Sequence, residues 1–269
     1  MCFLMGPGLS RRRFLALSLL GLALPRSARG DALERTRRTY EANIGVLFDL
    51  LTFTLTGSVI QEIDRGAGSY RVTMNGKGTG VTAQIESSGI IRSGRFMPTQ
   101  TRSSHTVRGH DNSLAVTYDY ERRIVEYHVL AYTFLLGRRW QVDDLVMLPP
   151  GLHIDDVISA LLNFGVNALD EDPDGSYRVT VVRRARPANE GPDDVSPRYR
   201  AELATTHFRV TTDPKSGQQT ALVDLTGFSS WARPSRPALV VFAPDRSLES
   251  VKTSLILGTT FTLRVSPVA

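Results

Sequence analysis

Cysteine is all but missing: the 269 residues hold one, Cys2, at the extreme N-terminus. Beyond it the chain has neither a disulfide nor a thiol nucleophile, even in a compartment that would permit disulfides. Long hydrophobic runs are missing as well. The uncharged stretch Phe14 to Leu24 is about eleven residues, whereas a membrane-spanning helix needs about twenty. Past residue 30, net charge is missing too. Arg11, Arg12, Arg13, Arg26 and Arg29 stand in the first thirty residues with no acid beside them, so 27 of the 32 basic residues remain to balance 27 acidic ones. A duplex-binding protein shows a clustered basic face. Here the signs are interspersed, and nucleic acid is not an expected partner.

The usual catalytic signatures are absent in turn. There is no Gly-rich phosphate loop, no His-Glu-x-x-His metal site and no Gly-x-Ser-x-Gly elbow. The five histidines, His105, His110, His128, His153 and His207, show no ligand spacing; His105 and His110 flank a polar stretch with Arg108 and Asp111. Acid pairs such as Asp143-Asp144 and Asp193-Asp194 are adjacent, and on a strand adjacent side chains point to opposite faces. Ser229-Ser230-Trp231 reads as a turn, and Trp140 and Trp231 as buried structural side chains.

What is present begins with a leader. Ser10-Arg11-Arg12-Arg13-Phe14-Leu15-Ala16 supplies a positive segment, Phe14 to Leu24 an apolar one, and Pro25-Arg26-Ser27-Ala28-Arg29-Gly30 a break ending in small residues. That is the plan of a secretory signal. The Ser-Arg-Arg-x-Phe-Leu run resembles the twin-arginine export motif, departing at Ala16, where Lys is usual. Residues 1–30 are expected to be such a signal, cut after Gly30, and residues 31–269 a single β-rich periplasmic domain with no transmembrane segment. A lipid anchor would need a Cys just after the apolar stretch, and Cys2 lies before it.

Period-two alternation recurs through the rest. Tyr70, Val72 and Met74 alternate with polar neighbours, as do Val81, Ala83 and Ile85; Val125, Tyr127 and Val129; Tyr177, Val179 and Val181; and Phe261, Leu263 and Val265. This is the pattern of half-buried antiparallel strands. Turn chemistry is expected at Asp64–Gly68, Asn75–Gly78, Asp174-Gly175 and Asp213–Gly217, and exposed loops at 186–198 and 233–237. One segment has helical spacing instead. Val157, Ile158, Leu161, Leu162 and Phe164 fall on one side of a helix, with Asp155 and Asp156 suited to its start. A second, shorter helix is expected over Asp31 to Arg38. The fold class that follows is mainly β: a curved antiparallel sheet or half-open β-barrel with one amphipathic helix packed on it.

Two candidate sites emerge. If the helix and the curved sheet leave a cavity, Leu161, Leu162 and Phe164 line it and an apolar or lipidic ligand fits; the alternative is a dry core. The string Asp170-Glu171-Asp172-Pro173-Asp174-Gly175 offers Asp170, Asp172 and Asp174 at alternate positions, as in the first half of a calcium loop. Its twelfth position is Val181, in an expected strand, so an acidic solvated turn is the competing reading. No other cofactor is expected.

Several strings together resemble the exported bacterial family catalogued as domain of unknown function 3108: Tyr40-Glu41-Ala42, Gly68-Ser69-Tyr70-Arg71-Val72, Ser93-Gly94-Arg95-Phe96-Met97-Pro98, Asp156 to Leu162, and Asp174-Gly175-Ser176-Tyr177-Arg178-Val179. The resemblance spans most of residues 38–268. It implies a periplasmic β-rich protein without catalytic residues to carry over. The layout is also similar to the lipoprotein carriers of the outer-membrane localisation pathway, which wrap a half-open barrel round helices. The expected function is a non-enzymatic envelope protein that binds an apolar or lipidic ligand or supports envelope integrity. A hydrolase acting on an envelope polysaccharide or lipid, and a protein-interaction module, are the alternatives.

Overall fold

The computed structural model describes residues 33–267 apart from 47, 49, 188, 189, 192, 197, 227, 228, 230 and 234. The expected export signal therefore lies outside the described residues. The described residues begin with eight antiparallel strands, each beside the one before it: β1 (Glu34–Val46), β2 (Leu51–Asp64), β3 (Ser69–Gly78), β4 (Val81–Arg92), β5 (Arg95–Val107), β6 (His110–Asp119), β7 (Ile124–Tyr132) and β8 (Arg139–Met147). One helix follows, α1 (Val157–Gly165). Next come β9 (Asp170–Glu171), β10 (Tyr177–Arg184) and β11 (Ala201–Phe208), a separate three-stranded sheet. The last five strands are β12 (Val210–Thr212), β13 (Gln219–Val223), β14 (Ala238–Phe242), β15 (Leu248–Ser254) and β16 (Thr260–Pro267).

β16 pairs with β1, so the two meanders join into one thirteen-stranded sheet that is not closed into a barrel. Strand β11 touches β8 near one end of this sheet and β13 near the other. The small sheet thus spans the opening, with the Ala201 amide donating to Asp144 of β8 at 2.9 Å. The alternation read from the sequence has its physical cause here. Tyr70, Val72, Val116, Tyr118, Val125, Tyr127 and Val142 point inward and are buried, while their strand neighbours face out. Asp143 and Asp144 do take opposite faces: Asp143 is exposed and Asp144 turns inward to accept the Ala201 amide.

Three expectations need correction. Residues 34–38 form the start of β1, not a helix, because their backbone pairs with β2 from Glu34 to Val46; Asp31 and Ala32 lie outside the described residues. Asn75 and Gly76 are not a turn but the interior of β3, and the reversal falls at Thr79-Gly80. Gly76 is there for close approach: a Cβ on it would run into the Tyr40 hydroxyl and Leu55. The loop after β10 is tied down. Glu190 is buried between Arg184, whose two guanidinium nitrogens reach it at 2.6 and 2.8 Å, and the Tyr199 hydroxyl.

Candidate functional site

Helix α1 lies on the inner face, and a buried polar network fixes it there. Asp156 caps it, accepting the Ser159 amide at 2.6 Å, while the Ser159 hydroxyl meets the Asp156 amide at 2.9 Å, a reciprocal capping box. The Thr101 hydroxyl of β5 also donates to Asp156. β5 begins five residues before its pairing with β6 starts at Gln100, leaving Phe96 without a strand partner on that side. Asn163 fills the gap. Its side-chain oxygen accepts the Phe96 amide at 2.8 Å and its nitrogen donates to the Phe96 carbonyl at 2.9 Å. The same amide nitrogen donates to Asp155 at 2.8 Å.

Asp155 and Arg95 form an ion pair at 2.6 Å with almost no solvent access, and Arg95 also donates to the Ala168 carbonyl. Burial pushes the Asp155 carboxyl up to about 6, against the opposing pull of Arg95 and Asn163. Burial and the nearby Asp156 charge push the Tyr70 and Tyr118 phenols well above their usual range. Perturbed titration often marks catalysis. Here the groups are sealed: Asp155, Ser159, Asn163 and Ser87 have no exposed surface. The network's work is to hold the helix in register with β5.

The helix residues singled out from the sequence divide between two packed clusters. Leu162 joins Ile158 against Ile63, Tyr70, Val72 and Phe96. Leu161 and Phe164 turn the other way, toward Leu169, Val179, Ala221 and Phe242. Phe164 is buried, 5.5 Å edge-on to Tyr177 and 4.3 Å from Phe242, with the Arg246 guanidinium 3.9 Å from its ring centre. These side chains wedge the helix into the core.

The acidic string is spread along five separate basic side chains. Asp170 meets His153 at 2.8 Å and Arg95 at 3.7 Å; Asp172 meets His207 at 2.8 Å and Arg178 at 3.3 Å. Asp174 meets Arg209 at 2.6 Å, and its bonds to the Ser176 hydroxyl and to Arg209 hold its carboxyl far below the usual range. Among the described residues, no three His, Cys, Asp or Glu side chains gather as a metal-ion site.

Two surfaces remain. On the outer face, β4 to β8 shape an open groove of about 530 Å³, lined by Gln84, Glu86, Arg102, Gln141, Asp143 and His128 among others. His128 and Asp143 pair there at 2.8 Å. The groove is mixed: it carries both charge signs together with Leu114, Val129 and Leu130. The second surface is apolar and lies inside. Ile44 of β1 faces Phe53 of β2 and Phe261 of β16; Ala42 faces Leu55 and Leu263 in the same way. Cross-strand partners share a face, and Tyr40 and Ala42 on that face are buried. Ile44, Phe53, Leu55, Phe261 and Leu263 are only half-buried and lie outside the three core clusters formed by the described residues. Thr253, opposite Phe261, is buried with its hydroxyl unpaired.

Over this surface, edge-to-face aromatics bridge the mouth: Phe53 to Phe134 at 6.0 Å, and Phe134 to Trp231 at 5.8 Å. In the sequence, Phe261 and Leu263 stand out only as alternating residues, and Trp231 as a turn neighbour and a structural tryptophan; it is half-buried. The available signal was their apolar character on strands that pair across more than two hundred residues, and that pairing is not written locally.

No family model matches the chain, so the likeness to domain of unknown function 3108 rests on its motifs alone. No curated protein matches either. Among solved structures the chain is similar to a beta-barrel-like protein of domain of unknown function 1849 from Brucella abortus. The two share 11% identity over 88% of this chain and 96% of the other, with a TM-score of 0.38.

Proposed function

We propose that this is a non-enzymatic protein of the bacterial cell envelope that holds an apolar or lipidic ligand against the inner face of β16, β1 and β2. The observation that carries the reading is the half-buried apolar surface of Ile44, Phe53, Leu55, Phe261 and Leu263, left over after the three core clusters are complete. An acyl chain laid there removes apolar area from water, the general driving force for such sites. The unpaired Thr253 hydroxyl gives a polar head group one anchor. The site sits away from Leu161, Leu162 and Phe164, which seat the helix. Export through a twin-arginine-type signal in residues 1–30, periplasmic residence and kinship with domain of unknown function 3108 belong to this proposal on sequence motifs.

Native mass spectrometry of the purified protein, followed by organic extraction, tests it. An acyl species at near-stoichiometric amount, reduced in Leu55→Gln and retained in Leu239→Gln on the outer face, is the expected result. A clean protein mass together with no binding of a fluorescent fatty-acid probe overturns it.

A further inference from the structure

The connections at the two ends of the strands differ in kind. At one end the reversals are Asp64–Ser69, Arg92–Arg95, Asp119–Ile124, Asp172–Ser176, Asp213–Gln218 and Ala243–Ser247, rich in Asp, Gly, Pro and Arg. Among the described residues, none of these six reversals carries an exposed Leu, Ile, Val, Met or Phe; Met147, Val157 and Val166, which are exposed at this end, lie on β8 and at the two ends of α1 rather than in the reversals. At the opposite end, Phe48, Leu50 and Leu51 lie at the β1–β2 connection, Leu135 and Leu136 at β7–β8, and Leu257 at β15–β16, all exposed; Phe48 and Leu50 reach 81%.

These connections form one continuous rim. The Phe48 amide donates to the Gly258 carbonyl at 3.2 Å, and the Ile256 amide to the Trp231 carbonyl at 2.7 Å. Trp231 meets Phe134; Arg108 donates to the Phe134 carbonyl at 3.3 Å; the Leu136 amide donates to Asp193 at 2.9 Å. Two of the exposed apolar residues, Phe48 (φ 60°) and Leu257 (φ 53°), also sit in the left-handed region. Bulky side chains are unfavourable there and Gly or Asn would relieve the strain. Neither belongs to the three core clusters formed by the described residues, and Phe48 covers Gly258 of the neighbouring connection, so burial in the core does not repay that cost.

Exposed arginines without an ion pair among the described residues stand at both ends, Arg65, Arg92 and Arg123 at the polar one and Arg108, Arg138 and Arg236 in the loops of the rim. The acids of the same loops are engaged locally: Asp193 with the Leu136 amide, Asp194 with the Gly191 amide, Asp224 with Thr226. Apolar tips, which the polar-turn reversals lack, with guanidiniums free of ion pairs just behind them form the pattern of an interfacial anchor, in which side chains enter the acyl boundary and cations meet anionic head groups.

We infer that this rim docks onto a lipid bilayer bearing anionic head groups. The inference goes beyond the ligand reading above, because the rim makes its contacts whether or not the interior is filled. Docking would set the open apolar end of the sheet against the membrane. A second copy of the chain or another protein is the competing occupant. Separate tips around a ring fit a deformable lipid surface better than they fit a flat protein face, which needs continuous area.

The test is co-sedimentation with phosphatidylcholine vesicles, with and without phosphatidylglycerol. It compares the full chain with a Phe48→Ser, Leu50→Ser, Leu136→Ser variant; both carry the same N-terminal segment, so any lipid affinity of residues 1–30 cancels. The expected result is binding to the anionic vesicles that falls about tenfold or more in the apolar variant. It should also weaken with salt and in Arg138→Gln, Arg236→Gln. Circular dichroism and thermal unfolding unchanged in the variants secure the comparison. Equal binding by the full chain and the folded apolar variant overturns the inference, as does no binding by the full chain. Concentration-dependent self-association in analytical ultracentrifugation, abolished by the same three substitutions, would also overturn it and assign the rim to a dimer.

Discussion

The two ends of this sheet solve the same problem in opposite ways. At the end with polar turns, the space inside the curve is filled by α1, whose Asp155, Asp156, Ser159 and Asn163 are consumed in bonds to β5 and to one another. At the other end the inner face keeps Ile44, Phe53, Leu55, Phe261 and Leu263 half-buried, and the connections above them expose Leu and Phe. The difference teaches that hydrophobic pattern alone does not separate core from interface. Phe164 and Phe53 are both inward aromatics, and only the completeness of the surrounding packing distinguishes their roles.

The sharpest way to break the contrast is to unseat the plug. Arg95→Ala leaves Asp155 buried without its cation and should cost about 3–5 kcal/mol, read as a lowered urea midpoint. Phe164→Ala should cost about as much by opening a cavity among Tyr177, Phe208 and Phe242. If either variant unfolds only a few tenths more easily, the plugged end is no more rigid than the open one.

A third prediction concerns pH. The folded Asp155 carboxyl titrates near 6 against its usual 3.8, so the folded state holds that proton more tightly in this interval. The stabilising contribution is therefore complete below about pH 4 and lost as pH rises through about 6, to a total of roughly 3 kcal/mol. Unfolding free energies measured between pH 4 and 7 should show this slope, and Asp155→Asn should flatten it.

The smallest effect belongs to the open end. Leu50→Ser and Leu136→Ser should change stability by no more than about 0.5 kcal/mol, since neither side chain is packed. A loss above about 2 kcal/mol in thermal unfolding would mean that the rim supports the fold after all.

Much of this was legible in the sequence. The strands at Tyr70, Val81, Val125, Tyr177 and Phe261 and the helix over Val157–Gly165 all follow from periodicity, because side-chain spacing is a local property. Residues 34–38 misled, since Arg and Glu are good helix formers, and what overrides them is backbone pairing with residues 59–63 of β2, which single-residue propensity does not register. Asn75-Gly76 misled because glycine serves both turns and close contacts, and only the Tyr40 ring across the sheet decides which. The acidic string was found, but of its partners only Arg178 is local; Arg95, His153, His207 and Arg209 come from other parts of the chain. Apolar residues at hairpin tips were a usable signal that composition passed over. Phe48, Leu136 and Leu257 stand where turns ordinarily carry Gly, Asn or Asp.

The pairing of β1 with β16 also bears on how the chain reaches its fold. Thr39 and Ser266 are hydrogen-bonded partners 227 residues apart. The first strand to leave the ribosome thus cannot find its second neighbour until the last one is made. Until then one edge of β1 and one edge of β15 stand open as templates for stray pairing. Such late, long-range closure makes for slow maturation and a chain vulnerable to aggregation while it waits. Loss of β16 would accordingly leave the large sheet in two pieces, β12–β15 and β1–β8, even though every residue of α1 and its network would still be present.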